Sequence, residues 1–214
     1  MKRFPALIIH VPHASTVIPE DVRKTFCLDD RELAEEVRLL TDHFADKLFA
    51  CDPERAVTIG FPVSRLVVDP ERFPDDARES MAHKGMGAVY MKTSGGKPLR
   101  HPLDPGSREA LLTRYYHPHH ERLTRAVDEA LERRGGCLII DVGSVKAPLV
   151  ALADAHTNGA RFVGCHPMAG SEKSGYEHSS GALYRGASVI ITPGKKNTED
   201  DVRAVERFWT SLGA

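Results

Sequence analysis

Long apolar runs are missing from this sequence. Its most hydrophobic early stretch, LIIHV after Met1-Lys2-Arg3, is flanked by Pro5 and Pro12 and interrupted by His10. That is too short for the apolar core of a signal peptide and far too short to span a bilayer. Cysteine is scarce as well: Cys27, Cys51, Cys137 and Cys165 lie far apart and form no CxxC pair. This excludes a zinc ribbon or a disulfide scaffold and fits a reducing compartment, so a cytoplasmic location is expected. An excess of one charge is also absent. A formal net charge of -1 and a pI near 6.8 give no electrostatic reason for a nucleic-acid or anionic-membrane partner and leave a small polar substrate open. No GxGxxG turn joins a strand to a helix; GMG at Gly85 to Gly87 and SGG at Ser94 to Gly96 lack that setting. Internal repeats and low-complexity tracts are lacking too.

What is present is a globular composition, 41% hydrophobic and 28% charged over 214 residues, long enough for one compact domain. ALIIHV reads as a buried strand emptying into PHASTVIPE. After Asp29-Asp30, the residues Leu33, Val37, Leu40, Phe44 and Leu48 predict one amphipathic helix over Arg31 to Phe49, with Asp42 and Asp46 on its polar side. AVTIGF and SRLVVD read as strands, and residues 81–105 as a long, partly mobile connection. Ser107 is expected to cap a helix kinked at Pro118 and stopped at Gly135-Gly136. The strand CLIIDV follows, then a helix-like VKAPLVALADAHT, the strands ARFVGCH and SVIITP, and a last helix capped by Thr198 and stopped by Gly213. This alternation predicts an α/β fold, a three-layer α/β/α sandwich on a mostly parallel mixed sheet, folded as a single domain over 1–214.

Catalytic side chains of α/β sheets gather where strands end. His10 and His13 sit at such an end. A hydrolytic zinc site draws about three His, Asp or Glu ligands and leaves a position for water; His13, Asp42 and a third group from a later strand end would satisfy it. A loop histidine and an exposed helix aspartate that are merely solvated form the plain alternative.

The segments HVPHASTVIP, TDHFADKLF, VSRLVVDPERFPDD, GMGAVY, RYYHPHHERL and CLIIDV, in this order over about residues 4 to 142, resemble N-formylglutamate amidohydrolases. The resemblance implies zinc or another divalent metal on His13 and Asp42, and a dicarboxylate substrate met by Arg65, Asp69 and Arg72. Arginine suits that task because its planar fork binds a carboxylate through two nitrogens. Arg65 paired with Asp69 as a structural ion pair is an equal alternative, and His120 reads as a helix-surface histidine. In the family the strand continues as DVHS, and its histidine resembles a second metal ligand. This chain has Gly143 there, so an impaired site is expected unless His166 replaces that ligand.

From Asp141 onward, DVGSVKAPLV, GARFVGCHPMAGSEKSGYEHSSGALYRG, SVIITP and ERFWTSLG resemble the middle of prephenate dehydrogenase, an NAD(P)-dependent oxidoreductase of tyrosine biosynthesis. That resemblance implies Gly143 and Ser144 beside the cofactor and His166 assisting oxidation at the substrate hydroxyl. It also puts Gly170, Ser171 and Ser174 in a loop that offers donors to a carboxylate. Without GxGxxG the pyrophosphate lacks its seat. The two resemblances meet at a seam near 138–144. Three functions stay open: an amidohydrolase, a dehydrogenase fragment, and an inactive chimeric scaffold.

Overall fold

A computed structural model of the chain describes residues 6–134, 137–141, 162–168, 184–211 and 213–214. Two compact units divide it, Met1–Val142 and Gly143–Ala214. In the first, β1 (Ala6–Val11) lies between β2 (Ala56–Gly60) and β3 (Cys137–Asp141), and both pairings are parallel. Side chains alternate between the faces of a strand, and β1 is apolar at nearly every position because both of its faces are covered. Ile8 and Ile59 pack with Ala130, Val127 and Leu123 of α5 (His117–Arg134), whereas Ile9, Val11 and Ala56 pack with Ala45 of α3 (Ala45–Leu48) and with Phe49. Parallel strands buried on both faces are the signature of α/β architecture, and the α/β class expected from the sequence holds.

Three expected elements are built differently. The helix predicted over Arg31 to Phe49 is broken into α2 (Asp30–Leu40), capped by Asp29 on the Glu32 N–H, and the single turn α3. Thr41 leaves helical geometry with ψ 132°, its hydroxyl turning back to the Val37 carbonyl, and Phe44 takes the left-handed φ of 64°. A non-glycine residue there costs on the order of 1 kcal/mol, and the break re-aims residues 41–44. The long helix begins at α4 (Pro105–Leu111), capped by Asp104 and not Ser107: the Asp104 carboxylate takes both the Ser107 N–H and its hydroxyl. It reaches α5 through a π turn, Leu112–Tyr116, which ends two residues before Pro118. Proline has no N–H for the carbonyl four residues back and clashes with it, and the wider turn accommodates both.

The third difference is SRLVVD, which is buried loop and not strand. Leu66, Val67, Val68 and Asp69 are fully buried, and buried backbone groups need partners. They find them singly: Ser64 N–H on the Val17 carbonyl, Asp69 N–H on the Ala88 carbonyl, and the Leu66 and Val67 carbonyls on the Arg100 guanidinium. Residues 81–105 are irregular as expected, yet Ala88, Val89, Tyr90 and Leu99 belong to the main core beside Leu66 and Val68. Arg100 therefore replaces a neighbouring strand. Arg100→Met should lower stability by about 2–4 kcal/mol, since it strands two buried carbonyls; urea unfolding of the pair measures it.

In the second unit, β4 (Val163–Met168) and β5 (Ser188–Pro193) pair antiparallel, with His166 opposite Ile190. The last helix, α6 (Glu199–Ser211), packs on both strands and buries Val205 and Trp209. Thr198 and Asp201 cap it reciprocally, and Gly213 follows it with φ 91°, as the sequence predicts. The expected helix VKAPLVALADAHT lies outside the described residues. Among the described residues no helix is long and apolar enough to cross a membrane.

Candidate functional site

β1 delivers His13 just past its end, through Pro12, into a site where it is 3% exposed. The break after α2 delivers Asp42, whose backbone N–H donates to the His13 carbonyl at 3.0 Å. The buried loop delivers Asp69. His13 Nε2 donates to Asp69 Oδ1 at 2.8 Å, and Nδ1 faces Asp42 Oδ2 at 3.7 Å and Glu71 Oε2 at 3.5 Å.

Asp69 is the hub. Its Oδ1 accepts from His13 Nε2 and the Glu71 N–H, its Oδ2 from Arg65 Nε and Nη2 and from the Tyr90 hydroxyl, all within 3.1 Å. Burial alone would push this carboxyl up, but His13, Arg65 and Tyr90 hold it well below the usual carboxylate range. Burial likewise opposes charge on His13, and the carboxylates of Asp42 and Asp69 outweigh it, raising His13 to about 9. Burial works against the Arg65 charge too, and Asp69 more than restores it. For Tyr90, burial and the adjacent Asp69 both push the phenol up, so it stays a donor.

Each of the expected residues Arg65, Asp69 and Arg72 has a partner inside the protein. Asp69 is fully buried with its oxygens occupied, so it orients His13 and Arg65. Arg65 has spent its Nε and Nη2 on Asp69, which is the ion-pair alternative. Arg72 is gripped by Glu79 through Nη1 at 3.4 Å and lies 3.6 Å from Asp69 through Nε; Glu79 also accepts from the Phe73 and Met81 N–H groups. His120, expected on the surface, is half-buried, bonded to the Pro70 carbonyl and stacked on Tyr116.

Two residues of the cluster were not singled out from the sequence. Tyr90 ends the quoted GMGAVY, and Glu71 lies between Asp69 and Arg72; neither has a spacing that marks it. His119 of α5 carries no such mark either, and it pairs with His10 of β1. His10 Nε2 and His119 Nε2 are 2.8 Å apart, both buried, with Phe61 edge-on at 5.0 Å from the His119 ring. Burial, then His10, pushes His119 down to about 3, and its Nδ1 is buried with no hydrogen-bond partner.

A metal-ligating histidine characteristically donates its second ring nitrogen to a carboxylate. His13 does so toward Asp69, with Asp42 on its other nitrogen, so these two residues fit a divalent ion as a nitrogen and an oxygen donor. Among the described residues no three His, Cys, Asp or Glu groups form a complete metal set. Gly143, Ser144, Ser171, Ser174 and the His166 side chain lie outside the described residues, and so does any ligand His166 would add.

A family model described as N-formylglutamate amidohydrolase matches residues 5–201, running through the expected seam and past residue 142. The crystal structure of N-formylglutamate amidohydrolase from Ralstonia eutropha JMP134 aligns with a TM-score of 0.57 at 20% identity, covering 76% of this chain and 61% of that one. At that identity the likeness is one of fold. Prephenate dehydrogenase of Bacillus subtilis (strain 168) is 46% identical over 76 residues, 35% of this chain and 20% of that protein. Prephenate dehydrogenase of Lactococcus lactis subsp. cremoris (strain MG1363) is 41% identical over 83 residues, 38% of this chain and 23% of that protein. The chain thus spans about a fifth of the length of the curated relatives it matches.

Proposed function

Because the chain belongs to the N-formylglutamate amidohydrolase family, we propose that it is a metal-dependent hydrolase of N-formyl-L-glutamate or a closely similar N-acyl acidic amino acid. The observation that carries this reading is His13 itself, buried, fixed by Asp69 on one nitrogen and facing Asp42 on the other. His13 and Asp42 would hold the ion, which supplies Lewis acidity toward the acyl group and the water that attacks it. Asp69 fixes the His13 tautomer so that Nδ1 is the ligating atom once its proton leaves. Arg72, steadied by Glu79, and Arg65, steadied by Asp69, supply positive charge for the substrate carboxylates. Loss of the family's histidine at Gly143 weakens the ion's hold and lowers turnover.

Metal analysis of protein purified without chelator tests this. Bound zinc, cobalt or another divalent ion, lost in His13→Asn, is expected; a metal-free chain that gains no hydrolase activity on metal addition would refute it. Binding at pH 7.5 should release about one proton, because only deprotonated imidazole ligates; calorimetry in buffers of different ionisation enthalpy counts it. Gly143→His should tighten binding at least tenfold, since it restores a ligand. Unchanged affinity in a folded variant counts against the site.

A second reading is favoured by the 46% identity to one prephenate dehydrogenase: a dehydrogenase-derived segment with His166 as proton acceptor and Ser144 beside NAD(P). Saturable NAD+ or NADP+ quenching of Trp209 fluorescence would support it. An inactive chimeric scaffold predicts neither metal nor nucleotide binding.

A further inference from the structure

Outside the site, an antiparallel bridge joins Phe26 to Arg100, with the Cys27 N–H on the Leu99 carbonyl and the His101 N–H on the Thr25 carbonyl, each at 2.8 Å. Residues one step beyond a bridged pair on each chain share the opposite face of the ribbon. Cys27 and His101 are such a pair: both are exposed, and Sγ lies 3.5 Å from Nδ1, hydrogen-bond distance for sulfur. The bridge is held from beneath. Arg100, 2% exposed, stacks its guanidinium on the Phe26 ring at 4.7 Å. Its Nε and Nη1 are buried with no hydrogen-bond partner. Phe26 and Arg100 thus anchor the ribbon to the core by its other face and hold the Cys27 and His101 backbones side by side. Arg23 secures the chain just past Cys27 through its bond to the Leu28 carbonyl.

From this geometry we infer that Cys27 is a reactive thiol, a site of mixed-disulfide formation with low-molecular-weight disulfides, with His101 as its proton acceptor. His101 Nδ1 takes the thiol proton, and the Cys27 sulfur attacks one sulfur of the disulfide. A new S–S bond forms as the old one breaks, and the departing thiolate takes the proton from His101. The small disulfide is the oxidant, and no other is required. Cys51, Cys137 and Cys165 are less exposed than Cys27 and have no histidine contact among the described hydrogen bonds. The proposal is independent of the hydrolase reading, since neither residue touches the His13 cluster.

The test uses the intact chain with excess oxidised glutathione at pH 7, the rate at each cysteine being read by peptide mass spectrometry. Exposure alone lets Cys27 react no faster than the same cysteine in the urea-unfolded chain. Assistance by His101 should make the folded rate about tenfold faster than that reference. His101→Gln, at an exposed position, should remove the advantage while circular dichroism stays unchanged. Iodoacetamide labelling across pH 6 to 9 provides a second readout, in which wild type keeps its rate toward pH 6 better than His101→Gln does. A folded rate no greater than the unfolded one, or the same rate in His101→Gln, would overturn the assignment.

Discussion

Asp69→Asn is expected to cost the folded chain on the order of 3–5 kcal/mol, the scale for removing one partner of a buried ion pair. Five donors converge on that carboxylate, three of them from His13 and Arg65. An amide can accept through one oxygen only, and it turns an NH2 group toward donors. Arg65 would then be a largely buried cation without its counter-ion. Tyr90→Phe removes one donor from a carboxylate that keeps four others and should cost about 2 kcal/mol. The contrast separates charge from hydrogen bonding. In urea unfolding, near-equal losses for the two variants would sink the hub interpretation. Arg65→Met added to Asp69→Asn should recover part of the loss, because it removes the stranded charge; strictly additive losses would argue against their coupling. On the proposed function, hydrolase activity should fall about 10- to 100-fold in Asp69→Asn and little in Tyr90→Phe, because only the former frees His13 to rotate.

The second large effect is a stability profile that falls on both sides of neutrality, from two histidines of opposite behaviour. His13 is raised from 6.5 to about 9 in the fold, so the folded chain binds its proton more tightly than the unfolded chain. That stability is fully present below pH 6.5 and is lost as pH rises to about 9, amounting to about 3 kcal/mol. His119 is depressed to about 3. Between pH 6.5 and 3 the unfolded chain takes a proton the fold refuses, so stability drops on acidification, by about 3 kcal/mol at pH 4.5. The lowered Asp69 carboxyl and the raised His13 describe one contact from its two ends, and its stabilisation counts once. Urea midpoints of metal-free protein at pH 4.5, 6.5 and 9.5 should therefore peak at the middle value. His119→Gln should flatten the acid limb and His13→Gln the alkaline one. A profile that rises or falls monotonically, or limbs unmoved by these variants, would contradict the assignment.

The sequence conveyed the sheet well because ALIIHV, AVTIGF and CLIIDV are short apolar runs bounded by turn residues; the central strand β1 is covered on both faces, while Val57 of β2 is exposed. It conveyed SRLVVD badly for a related reason. The run is just as apolar, but its backbone is satisfied by Arg100, thirty-odd residues away, and no local pattern announces a side chain that substitutes for a strand. The helix break at Thr41 was hidden by a periodicity that carries on through Phe44 and Leu48 in both pieces. His13 and Asp42 were legible as a pair, since one follows a strand and the other belongs to a motif. The part of Asp69 was not: the same aspartate can face a substrate or stand behind a histidine, and burial decides between them. His119 stayed hidden among the histidines of RYYHPHHERL because the π turn before Pro118 sets which of them points inward.

The hydrogen bond from the Asp42 N–H to the His13 carbonyl has a bearing on how such a site can change over time. It ties positions 13 and 42 main chain to main chain, so their separation does not depend on what either side chain is. Substitution at either position would alter the donor atoms on offer and leave the socket's dimensions intact. A lineage that lost one ligand at Gly143 would keep a frame into which new ligands can be tried one residue at a time, without rebuilding the fold around them.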